Sequence, residues 1–335
     1  MSARPARAVG WWLVAVSIAV FIQVGLGGIT RLTDSGLSIT EWKPLLGVIP
    51  PHDEPGWQDA FGKYQQIPQF QLLKRHLTLD EFKFIYFWEW FHRLWGRLLG
   101  VIFAVPALVF WRRKQLAGLG RRMLVLFLLG GAQGALGWFM VASGLQDLVY
   151  VSHLRLAAHY SFALFLLVAL VWNAASILRT TPVVGATDRM RQLTWGLVAA
   201  LAVQLTWGAF MAGLKAALMA PTWPTINGQW VPDAVWSSVP WNDPLSVHFI
   251  HRTLGFTLLA AFIAWLVWTR KVLGPERLAV VALAAVQVTL GVLVLLYGPI
   301  GDFLLWLGLA HQLVGTALTV ALVVSAHALQ TAPRP

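Results

Sequence analysis

Four histidines set the chemistry open to this chain. His92, His159, His251 and His311 lie inside apolar segments, each roughly two turns from the same end of its segment. A polar group in the hydrocarbon of a bilayer is expensive, about 2.5 kcal/mol or more for a charge at mid-helix, so each needs a partner. One such histidine alone would be read as hydrogen-bonded to a neighbouring helix. Four at a common depth, two in each half of the sequence, suit axial ligation of a heme iron held between helices. Zinc fits less well, because a structural zinc takes four clustered ligands and the second half offers no clear carboxylate.

The stretch Phe87–Arg97, FWEWFHRLWGR, adds Glu89, Arg93 and Arg97 to the first histidine. Glu89 stands three residues before His92 and therefore shares its helix face. The matching position before His251 is His248, which is not an acid. Glu89 has two possible roles: a structural salt bridge to Arg93 or Arg97, or proton delivery and positioning of the reacting group. Buried carboxylates have tunable pKa values, which suits proton-coupled redox chemistry. The asymmetry implies that one half does chemistry and the other holds a cofactor. His248 could support His251 from the adjoining turn, and His153 reads as an anchor or cap. His52, His76 and His327 are given plain structural or surface roles.

The elements that must position these groups are membrane helices. Hydrophobic residues make up 58% of the 335 and charged residues 12%, about half the charged share of a soluble protein. Apolar runs long enough to span recur throughout, so the fold class is an all-α polytopic membrane protein with eight transmembrane helices. They are expected at about 9–29, 84–110, 123–142, 153–178, 192–213, 246–269, 278–297 and 304–329. The net charge of +11 comes from short basic clusters between spans, which orient a membrane protein and do not indicate nucleic acid. Arg112, Arg113, Lys114, Arg121 and Arg122, then Arg179, Arg189 and Arg191, then Arg270, Lys271 and Arg277 fall in alternate connections. With Arg4, Arg7 and Arg334 they place 14 of the 25 basic residues on one side, so both termini are expected to be cytoplasmic. The first span, behind Arg4 and Arg7, is expected to stay as an anchor and not to be cleaved. Two outer connections, 30–83 and 214–245, are long and rich in aromatic residues and proline, as ordered lids would be. Cysteine is absent, which excludes disulfides and thiolate-held metal centres.

The spans repeat. Gln-x-x-x-Gly occurs in the odd-numbered spans as Gln23/Gly27, Gln133/Gly137, Gln204/Gly208 and Gln287/Gly291, and the even-numbered spans carry the four histidines. His-Arg-x-x-Gly occurs twice, at His92–Gly96 and His251–Gly255. Gln133 to Gln287 is 154 residues and His159 to His311 is 152. Two pseudo-symmetric four-helix bundles, 1–180 and 181–335, follow. With four spans each they are parallel repeats about an axis along the membrane normal.

The most specific stretches are Gly27–Ser38 (GGITRLTDSGLS), Glu41-Trp42-Lys43-Pro44 with Gly47 to Pro51, and Glu81–Tyr86 followed by Glu89, His92-Arg93, Gly96 and Arg97. Through them the chain resembles the heme A synthase family, in its mitochondrial and alphaproteobacterial type, over essentially its whole length. Some members carry a cysteine pair in the outer loops, and this chain resembles the cysteine-free class. The resemblance implies an iron-dependent membrane oxidoreductase that oxidises the C8 methyl of heme O to a formyl group by successive O2-dependent hydroxylations. The product, heme A, would serve a terminal oxidase. It implies that His92 and His159 flank the substrate heme, that His251 and His311 ligate a heme b cofactor, and that Glu89 is an essential acid. Arg31, Arg93, Arg97 and Arg252, near the outer interface, are expected to include partners for heme propionates, since guanidinium pairs with carboxylate bidentately. Implied partners are heme O, O2, an unidentified electron donor, heme O synthase and cytochrome oxidase assembly factors. The location would be a bacterial plasma membrane, or the mitochondrial inner membrane in a eukaryote. The principal competing reading is a di-heme b-type electron-transfer cytochrome, in which all four histidines are equivalent and Glu89 is incidental. A transporter with parallel repeats would explain the duplication but not the histidines.

Overall fold

The computed structural model describes residues 6–42, 46–146, 148–179, 183–236 and 239–330. Arg4, Lys43, Pro44 and Arg334, named above, lie outside the described residues, as does the Trp236 side chain. Eleven α-helices lie among the described residues: α1 Arg7–Leu32, α2 Glu54–Tyr64, α3 Pro68–Leu73, α4 Leu79–Arg112, α5 Gly120–Gln146, α6 His153–Leu178, α7 Asp188–Gly213, α8 Ala216–Met219, α9 Pro244–Trp268, α10 Glu276–Tyr297 and α11 Phe303–Gln330. Eight of them (α1, α4, α5, α6, α7, α9, α10 and α11) are long and apolar enough to cross a membrane.

The expected spans match these eight, the observed helices run beyond most of the expected ends, and polar caps set the earlier starts of α4, α7 and α9. Helix α4 starts at Leu79, ahead of the expected 84, because Thr78 and Glu81 form a reciprocal capping box. Asp243 caps α9 through the Ser246 N–H at 2.7 Å, with Pro244 in its first turn. With 34 residues, α4 is about 50 Å long against a hydrocarbon core of about 30 Å, so part of it stands outside the apolar layer. There α2 packs on it and α3 packs on α5. Leu37, Tyr64, Ile67, Phe82 and Ile85 form a buried core beneath this cover. The described part of the 30–83 connection is thus an ordered cap, as expected.

Helix neighbours repeat between the halves. Pairs α1–α4, α1–α6, α4–α5 and α5–α6 have counterparts in α7–α9, α7–α11, α9–α10 and α10–α11, and α6–α7 has one in α11–α1. The pattern is compatible with two pseudo-symmetric four-helix bundles. Each bundle has its own apolar core, one around Leu13, Phe103, Leu126 and Leu167, the other around Leu201, Phe262, Val280 and Leu322. Along α6, α9 and α11 the core side chains begin at Leu164, Leu258 and Leu318, a turn or two past the histidine. The dense packing therefore occupies one end of each bundle and leaves the histidines at the other.

Candidate functional site

All four histidines stand in one setting, built by the two repeated motifs. Gln23 Nε2 lies 3.2 Å from His92 Nδ1 and donates to the His92 carbonyl oxygen at 3.1 Å. Gln133 does the same for His159 at 3.2 and 3.1 Å. Gln204 does so for His251 at 3.2 and 2.9 Å. Gln287 Nε2 lies 3.1 Å from His311 Nε2. The glycine four residues after each glutamine makes room for the ring. A Cβ at Gly27, Gly137, Gly208 or Gly291 would sit 2.9–3.2 Å from the Cε1 of its histidine. The sequence displayed the two motifs on alternate helices; the structure joins them into one unit, used four times.

The rings are half-buried, covered only in part by protein. His251 and His311 face one another with ring centroids 6.3 Å apart and planes 71° apart. Two imidazoles sharing one metal at about 2 Å per bond have centroids about 6 Å apart, so this pair fits axial ligation of a single iron. His92 and His159 stand on α4 and α6 of the first bundle.

Glu89 is buried at 2% exposure and held from three directions. Its Oε2 accepts from Ser38 Oγ at 2.7 Å and from the Ile39 N–H at 2.8 Å, and its Oε1 accepts from Arg93 at 2.5 Å. The salt bridge foreseen as a plain structural role is therefore present. Ser38 was not foreseen as a partner; the only signal for it was its place in the GGITRLTDSGLS stretch. Arg93 also donates to the carbonyls of Ile39 and Glu41. Arg252 donates to those of Thr222, Pro224 and Thr225. At equivalent positions, these two arginines fasten the outer connections to their helices. Arg31 reaches the Ala212 carbonyl on α7 at 3.4 Å, and Arg97 lies one turn beyond Arg93 on α4.

The seam between the bundles is closed by a matched pair. Asp34 and Lys215 follow Gln23 and Gln204 by the same interval, and both adopt positive φ, 53° and 51°. They meet at 3.0 Å, and the Lys215 ammonium also sits 3.8 Å from the Tyr150 ring centroid. Lys74 lies 3.9 Å from Asp34, and burial lowers its pKa from the ordinary lysine value.

The remaining histidines divide. His153 bonds Asn242 at 3.1 Å, anchoring α6 to the second outer connection. His327 bonds Ser176 and stands edge-on to Trp172, while His52 and His76 are exposed. His248 is fully buried, and neither ring nitrogen has a hydrogen-bond partner among the described residues.

The Gln–Gly–His units in both halves, with an acid one turn before the histidine in the first half and not at the matching position of the second, are the features to set beside known proteins. Residues 10–323 match the model of the COX15-CtaA family, described as cytochrome oxidase assembly protein. The chain belongs to the heme A synthase family. Heme A synthase of Rhodospirillum centenum is 43% identical over all of this chain and 91% of its own length. That of Sphingopyxis alaskensis is 42% identical over 95% and 91%, and that of Maricaulis maris 42% over 97% of each.

Proposed function

We infer that the chain is a membrane oxidoreductase that converts heme O to heme A. The observation that carries this reading is the fourfold Gln–Gly–His unit, arranged as two histidine pairs, in a chain of this family. In the first half, residues 1–180, His92 and His159 flank the substrate heme O. In the second, residues 181–335, His251 and His311 ligate a resident heme b, whose iron supplies electron transfer that no side chain here can perform.

The chain's own residues orient and close the site. Each imidazole is fixed between a glutamine and a glycine, so protein packing would set the direction from which it meets a heme iron. Glu89 holds the Ser38–Ile39 segment against α4. With the Ser38 hydroxyl, which can both give and take a proton, Glu89 forms the proton-handling end of the first site. Arg31 and Arg97 are the candidates to pair with heme propionates, while Arg93 and Arg252 hold the outer connections.

The reaction is oxidation of the C8 methyl to a formyl group by successive O2-dependent hydroxylations, with electrons from a separate donor. Heme O synthase and oxidase assembly factors are the partners that would deliver substrate and receive product. The basic clusters orient both termini to the cytoplasmic side of a bacterial plasma membrane, or to the matrix in a mitochondrion. Reconstitution of the purified protein with heme O, a reductant and O2 tests the proposal. Appearance of the formyl heme supports it. A stable two-heme protein that shuttles electrons and leaves heme O unchanged favours the di-heme cytochrome.

A further inference from the structure

The turn from α4 to α5 carries charge that the neighbouring chain does not balance. Residues 1–10 and 111–122 hold seven basic residues and no acid. The two stretches lie together, since the Ala6 N–H donates to the Gln115 carbonyl at 3.1 Å. Arg112, Arg113, Lys114, Arg121 and Arg122 make no ion pair among the described residues. The other connections at this end of the spans contain two acids, Asp188 and Glu276, and each already faces an arginine, Arg191 and Arg179. An uncompensated group of cations attracts an anion from outside the chain.

Two further features point to the class of anion. The chain turns through positive φ at Lys114 (56°), Ala117 (43°) and Gly118 (84°), and it leaves a cavity lined by Lys114, Arg121, Trp111 and residues of the turn between them. Two cations in one concavity suit a phosphate, and an exposed tryptophan is at home at the level of lipid headgroups. Beyond the cavity the helices are open. Helices α4 and α5 are the least buried of the eight spans, and Val105, Leu108, Leu124 and Leu128 on them are 47–61% exposed. A charged cavity with an apolar face running from it matches the two ends of a phospholipid. A soluble acidic partner would use the cations and leave that face without a role.

We propose that this turn binds an anionic phospholipid, its phosphate held by Lys114 and Arg121 beside Trp111 and its acyl chains lying along α4 and α5. Arg112, Arg113 and Arg122 raise the local concentration of anionic headgroups, and the cavity retains one of them. The site stands at the end of the first bundle away from the histidines and does not depend on what they bind.

The full chain, purified in detergent and stripped of lipid, is titrated with dioleoyl phosphatidylglycerol or dioleoyl phosphatidylcholine, and bound lipid is counted by native mass spectrometry. Wild type should retain phosphatidylglycerol in preference to phosphatidylcholine. Lys114→Gln/Arg121→Gln should bind phosphatidylglycerol about thirtyfold more weakly, since each cation at a membrane surface contributes about fivefold. Arg112→Gln/Arg113→Gln removes the same charge outside the cavity and should keep most of the affinity. If the first double variant does not accumulate, Arg121→Gln decides by itself, with a loss of about fivefold. Equal retention of the two lipids by wild type overturns the proposal. Equal losses in the two double variants also overturn it, leaving a diffuse basic surface with no site. Displacement of phosphatidylglycerol by inorganic phosphate alone would assign the cavity to a soluble anion and overturn the lipid.

Discussion

In the first bundle the turn before the histidine carries Glu89, whose carboxylate takes hydrogen bonds from Ser38, Ile39 and Arg93. In the second the same turn carries His248, buried and unpartnered among the described residues. The following residue is arginine in both, and in both it fastens an outer connection. Arg93 does so as part of an ion pair, however, and Arg252 through backbone carbonyls and the ring of Trp223, with no carboxylate partner among the described residues. The two halves thus share the Gln–Gly–His unit and the arginine that fastens an outer connection, and differ one turn before the histidine, where the first has a hydrogen-bonded carboxylate and the second a buried imidazole. Under the proposed function, that difference is what separates a reaction site from a cofactor site.

The comparison breaks most plainly at the ligands. His251→Ala is expected to lose the C-terminal heme entirely while the first site still binds heme O, read from the heme content and spectrum of purified protein. Next in size is Glu89→Ala. It should retain both hemes and lower product formation by about 10²-fold or more, the usual scale for loss of a general acid–base group, measured as heme A per enzyme. A Glu89→Ala enzyme with normal turnover would reduce the acid to a fastener. Stability should separate the two arginines. Arg93→Leu leaves a buried carboxylate unpaired and should cost about 3–5 kcal/mol. Arg252→Leu, which strands only carbonyls, should cost about 1–3 kcal/mol, compared by thermal unfolding of the two variants in one detergent. Equal losses would mean that the Glu89–Arg93 pair contributes nothing particular to the first half.

The smallest effect belongs to the seam. Asp34→Asn and Lys215→Gln should each cost about 0.2–1 kcal/mol, as partly exposed ion pairs do, and the double variant should cost less than the sum of the two. Fully additive losses would show that the two bundles are not held together by this pair.

Much of this was legible in the sequence because it follows from periodicity and cost. Eight apolar runs give eight spans, and intramembrane histidines need partners. The alternation of Gln-x-x-x-Gly with histidine exposed the repeat. It did not reveal that glutamine and glycine together grip the ring, because the contact joins residues 24 to 69 positions apart. Sequence offered Glu89 as a partner for Arg93, and heme propionates for Arg93 and Arg252, but not the outer connections that both arginines hold. Those contacts are to backbone carbonyls of irregular segments, which leave no mark in residue type. Ser38 was hidden for a related reason, since a serine in a glycine-containing turn reads as turn chemistry. The Asp34–Lys215 pair was masked by its own symmetry, as equivalent positions occupied by opposite charges do not look like a repeat.

The most direct test of the division of labour is mass analysis of hemes extracted with acidified acetone from membranes expressing wild type or His92→Ala. The account predicts heme b and heme A from wild type, and heme b with accumulated heme O and no heme A from the variant. Heme A formed at the wild-type level by His92→Ala would contradict it.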